Sequence, residues 1–90
     1  MIYDAEAIKK VKKTIIRKLY SAGCWGKGHM LMERFKSGLP AHYQGYVTDA
    51  LDELIKERII CAYGRTKYGP AFYLNISKKK EIEEMIFESI

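Results

Sequence analysis

The apolar rhythm of this 90-residue chain changes twice, and that change restricts its fold more than any other feature. Up to Ile55 the apolar residues recur three and four apart, the spacing of one helical face. Residues 59–63 and 71–76 are instead short β-prone runs. They flank the polar stretch Gly64-Arg65-Thr66-Lys67-Tyr68-Gly69-Pro70. Two such runs around a Gly/Pro-bounded loop make a hairpin. Helical spacing then returns with Ile82, Met85 and Ile86. The expected fold is α+β, mainly α with a small β-hairpin. A chain of this length builds one core, and no linker or repeat divides it, so residues 1–90 read as a single domain.

The helices can be placed from their caps and faces. Residues 4–20 form an amphipathic helix capped by Asp4, with Ile8, Val11, Ile15 and Leu19 turned inward. Ala22-Gly23 ends it, and the glycine-rich 24–28 is an extended link. A second, short helix is expected over about 29–36, with Met30, Leu31 and Phe35 buried. Ser37-Gly38-Leu39-Pro40 makes a turn into a third helix over about 41–57, whose inner face is Val47, Ala50, Leu51, Leu54 and Ile55. On a wheel anchored by Val47 and Leu51 the outward positions are His42, Gly45, Tyr46, Asp49, Asp52 and Glu53. A last helix, about 78–89, is capped by Ser77.

A helix, a helix-turn-helix over about 29–57, then a hairpin over about 59–76, is an order that resembles the winged helix-turn-helix superfamily. The residues that carry the likeness are Val47-Thr48-Asp49-Ala50-Leu51-Asp52-Glu53-Leu54 running into Ile59-Ile60. The chain is also similar to small archaeal winged-helix proteins of unassigned function. Shared features are Gly26-Lys27-Gly28-His29, Gly38-Leu39-Pro40-Ala41-His42-Tyr43-Gln44-Gly45, Tyr68-Gly69 and Leu74-Asn75. Two departures stand out. Arg58 occupies the position where a glycine or asparagine usually ends the third helix, which predicts a differently built loop there. The turn before Val47 is also longer than usual, and it contains Gly45.

Charge narrows the function. The net charge is +5, but residues 1–38 hold nine Lys/Arg against three acids, a local +6. Residues 39–58 hold two against four, a local −2. A positive field favours polyanions. No apolar run approaches the roughly 20 residues of a membrane span. The acidic start, Asp4 and Glu6, is unlike a secretory signal, so a cytoplasmic protein is expected. Cys24 and Cys61 are expected to be free thiols. With His29 and His42 they show no zinc-type spacing, so no metal or cofactor is expected. No nucleophile–base pair, phosphate loop or acid pair has recognisable spacing, and no enzyme is expected.

The resemblance implies a double-stranded DNA-binding protein, a small transcriptional regulator, that reads the major groove with its third helix. His42, Gly45 and Tyr46 are the candidate base-edge contacts. Arg65, Thr66, Lys67 and Tyr68 are candidate phosphate contacts on the wing, and Lys27 and His29 at the start of the second helix are further ones. The lysines of the first helix read as a solvated face. Ile82, Met85, Ile86, Phe87 and Ile90 form an apolar arc that predicts a homodimer contact. The alternative is a protein-interaction module whose acidic third helix docks on a basic partner.

Overall fold

The computed structural model describes residues 4–26 and 28–87. Helix α1 spans Ala5–Ser21, and the Asp4 carboxylate accepts from the Ala7 amide at 3.2 Å as its N-cap. Ala7, Ile8, Val11, Ile15, Ile16 and Leu19 are buried along one stripe. Burial of a side chain of the size of Ile or Leu contributes roughly 1.5–3 kcal/mol, so α1 is the principal wall of the core. Strand β1, Met30–Leu31, leads directly into α2, Met32–Lys36. The second helix is therefore shorter than expected, because Met30 and Leu31 pair with the hairpin and leave the helix to begin after them.

The expected third helix is broken. Helix α3 is one turn, Ala41–Gln44, and α4 is Val47–Lys56, with Gly45 and Tyr46 between them. The Gln44 amide nitrogen donates to Leu39 O at 3.1 Å and closes the α2–α3 turn. Buried Val47, Ala50, Leu51 and Leu54 lay α4 against α1. Ile55, expected inside, is 37% exposed.

Strand β2 covers Ile60–Thr66 and β3 covers Gly69–Leu74. The antiparallel sheet has the order β1-β3-β2, with Met30 opposite Phe72 and Ile60 opposite Leu74. Register shifts between Ala62 and Gly64, where Tyr63 is the extra residue of a bulge. Gly64 has φ 122°, a conformation that side chains disfavour, so glycine permits the bulge. Helix α5, Lys79–Phe87, follows a 3-10 turn, Ile76–Lys78. Asn75, rather than Ser77, caps this segment: its side-chain oxygen accepts from Ser77 N at 3.1 Å. Among the described residues the domain is α+β, with five α-helices and a three-stranded antiparallel sheet. No helix there is long and apolar enough to cross a membrane.

Arg58 corrects the expectation of a different loop. It sits in the left-handed region at φ 61°. Arg58 N donates to Ile55 O and Ile59 N to Leu54 O, both at 3.0 Å. These are the paired bonds of a Schellman cap, with buried Ile59 over buried Leu54. The end of α1 is built alike around Gly23 at φ 69°, with Gly23 N to Tyr20 O and Cys24 N to Leu19 O. Asn75 fastens the α4–β2 joint further, its side-chain nitrogen donating to Arg58 O at 2.8 Å.

Candidate nucleic-acid interface

The hairpin tip is tighter than the expected seven-residue loop. Arg65 and Thr66 belong to β2, paired with Pro70 and Gly69, and only Lys67 and Tyr68 turn the chain. Strand β1 reaches no further than Ala71, so the hairpin beyond it is a two-stranded arm. The Thr66 hydroxyl donates to Gly69 O at 2.7 Å and accepts from Tyr68 N at 3.1 Å. Its proton thus holds the turn in the free chain. Arg65, Lys67 and Tyr68 are exposed, and Lys67 Nζ lies 5.9 Å from the centre of the Tyr68 ring. That separation is within cation–π range. Neither strand nor the turn between them contains an Asp or Glu, so the positive charge of the arm is unopposed along its length.

At the other candidate element, His42 and Gly45 are exposed, whereas Tyr46 is half-buried against the core. His42 stands 4.3 Å from the Tyr43 ring, centroid to centroid. Glu53 does not face outward as the wheel suggested. Lys12 of α1 reaches it at 3.4 Å and reaches Glu57 at 3.0 Å, tying α4 to α1. The exposed ridge of α4 is Thr48, Asp52, Ile55 and Lys56. Thr48 was missed because a helical wheel is symmetric about its core axis. Glu53 and Thr48 lie about equally far from that axis, roughly 110° on either side. Only the position of α1 decides which flank is covered.

His29 is not at a helix start, since α2 begins at Met32. Its ring stacks on Tyr63 at 4.0 Å with 16° between planes, bracing the chain before β1 against the bulge of β2. Lys27 and Ile90 lie outside the described residues. Among the described residues no hydrogen bond, ion pair or ring contact joins His42 or Tyr46 to Arg65, Thr66, Lys67 or Tyr68. Helix α4 meets β2 through its C-terminal cap.

The residues of the expected dimer face divide between core and surface. Ile82 is fully buried and Ile86 nearly so, both within this chain's own core, and α5 packs on α1. Met85 is half-buried against the same core, and Phe87 stays 49% exposed with its ring 5.8 Å from Tyr20. Ile82 and Ile86 thus serve this chain's own core, while Phe87 keeps an exposed face. Tyr20 Oη donates to Glu83 at 2.8 Å, and this bond, with burial and the carboxylate charge, raises the Tyr20 pKa. Cys24 and Cys61 are free thiols. Burial pushes the Cys24 thiol up, against a smaller opposite pull from Arg34.

Compared with known proteins, the chain matches no family model, no curated protein and no solved structure.

Proposed function

We propose that this domain is a winged helix-turn-helix that binds double-stranded DNA. In this reading α2, the turn and α3–α4 are the helix-turn-helix, and the β2–β3 arm is the wing. The observation that carries it is the unopposed charge of the arm: exposed Arg65 and Lys67 on a hydrogen-bonded tip, with no carboxylate from Ile60 to Leu74. Phosphate contacts position a protein on a duplex, and a rigid cationic hairpin suits that task. Residues 41–48 likewise contain no acid, and exposed His42, Gly45 and Thr48 are able to approach base edges. The protein-docking alternative depended on the acids of α4. Lys12 engages two of them, Glu53 and Glu57, and so offsets one of the four negative charges such a partner would meet.

Selection from random duplexes at about 0.15 M salt tests the proposal, since salt screens weak surface charge in that regime. A recurrent site should be enriched. His42→Ala and Thr48→Ala should each relax preference at particular base pairs, by about 1–3 kcal/mol of discrimination where a base contact is lost. Recovery of no duplex above background would refute it.

A further inference from the structure

The largest concentration of unpaired positive charge lies away from the hairpin, along one flank of α1. Lys10, Lys13 and Arg17 follow one another at three- and four-residue spacing, so they form a single ridge. Two open clefts run beside it. One, of about 400 Å³, lies between this ridge and the α2–α3 turn at Leu39, Pro40 and Tyr43. The other, of about 600 Å³, continues past Arg17 to Ser21 and to Arg34 of α2. Thr14 and Arg17 line both, so the two join into one groove. No Asp or Glu lines either cleft.

The fold keeps neutralising groups away from this groove. Lys12 lies about 160° around α1 from Lys10, and it is Lys12 that takes Glu53 and Glu57. Glu33, next to Arg34 in sequence, pairs with Lys36 at 3.9 Å instead. Lys18 is spent on structure, donating to Arg34 O at 2.9 Å and to Ser37 O, where it holds the end of α2. Lys10, Lys13, Arg17 and Arg34 therefore face the groove without an ion pair among the described residues. Like charges gathered this way repel one another and favour a polyanion.

The shape favours a strand over a point anion. From Lys10 to Arg17 the helix rises about 10.5 Å, with cations near 4.5 and 6 Å intervals. One strand of a duplex presents a phosphate about every 3.4 Å along its axis, so such a row spans roughly three of them. The groove is open along its length, not closed around one group. No hairpin residue lines it. We propose that the α1 groove is a second phosphodiester-binding surface, seating the backbone of a nucleic-acid segment other than the one met by the hairpin. This rests on the nucleic-acid reading above and adds a second site to it.

Short duplexes titrated with the whole chain test this, reading both the number bound per chain and the salt dependence. Wild type should bind two duplexes. The variant Lys10→Gln/Lys13→Gln/Arg17→Gln should bind one, and its summed salt slope should fall by about 2.7, that is 0.9 for each lost contact. Because these positions lie on the groove side of α1 and relieve repulsion when neutralised, the variant should melt no lower than wild type. The variant Arg65→Ala/Lys67→Ala should also keep one duplex, the one held by the groove. Two duplexes on the groove variant would overturn the second site and leave the hairpin reading standing. Loss of all binding in the groove variant, with none in the hairpin variant, would keep the groove and remove the hairpin. Absence of any duplex on wild type would remove both, and release of the groove duplex by pyrophosphate at constant ionic strength would mark a point-anion pocket and overturn the strand.

Discussion

Replacing Arg58 by glycine should make the protein more stable. Arg58 holds φ 61°, where its Cβ crowds the following carbonyl, at a cost of about 1–2 kcal/mol for a residue with a side chain. Glycine removes that strain but has more freedom in the unfolded chain, worth about 0.5–1 kcal/mol in the other direction. The side chain is exposed and forms no ion pair among the described residues, so its removal adds no further loss. The cap bonds Arg58 N to Ile55 O and Ile59 N to Leu54 O are backbone bonds, as is the acceptor that Asn75 uses. All survive the change. The difference spans about 0–1.5 kcal/mol, and its midpoint of about 0.75 kcal/mol corresponds to roughly 3–6 °C in melting temperature for a domain of this size. Thermal melting followed at the helical circular dichroism band, with a urea titration of unchanged slope, would measure it. The converse change is Gly23→Ala, at φ 69° with open space around an added Cβ. It should lose about 1 kcal/mol through backbone strain alone. A destabilising Arg58→Gly would refute the cap as described.

Ile82→Ala should destabilise by about 2–5 kcal/mol, because Ile82 is fully buried within the chain, and the loss should not depend on protein concentration. A melting temperature that rises with concentration would instead show self-association, as expected of a dimer face on α5. Native alkylation followed by mass spectrometry should label half-buried Cys61 well before Cys24, whose thiol is buried and raised in pKa; equal rates would contradict that burial. In an alkaline titration of phenolate absorbance, Tyr20 should ionise above its ordinary value of 10.0, and Tyr20→Phe should remove the late component. Since its folded pKa is raised, the stability it contributes is fully present below that ordinary value. It is lost as pH climbs through the raised one.

Much of the fold is readable in the residues, and the failures share a cause. Helix α1 and its Asp4 cap, the buried stripe of α4 and the hairpin all follow from spacing and turn chemistry, which are local. Strand β1 does not: Met30 and Leu31 are too few to show a period, and only Phe72 and Ala71 across the sheet make them a strand. The break at Gly45 and Tyr46 lies within an apolar–polar pattern that a single helix would fit equally well. Ile82 and Ile86 show how an apolar face declares burial without naming what covers it, which here is α1. The candidate site divides the same way. Arg65, Lys67 and Tyr68 are exposed as expected, while Thr66 is occupied by its own turn and Tyr46 by the core. The α1 lysines look uniform along the sequence. Tertiary contacts separate Lys12 and Lys18, which hold the fold together, from Lys10, Lys13 and Arg17, which are left facing a groove.

The claim that the hairpin meets phosphate is tested most directly by duplex affinity as a function of salt. Measured in the Lys10→Gln/Lys13→Gln/Arg17→Gln background, where only the hairpin site remains, about four phosphate contacts should give a slope near −3.6 for the logarithm of the binding constant against the logarithm of salt, and adding Arg65→Ala/Lys67→Ala should make it shallower by about 1.8. A slope near zero, or one unchanged by the double substitution, would contradict the account.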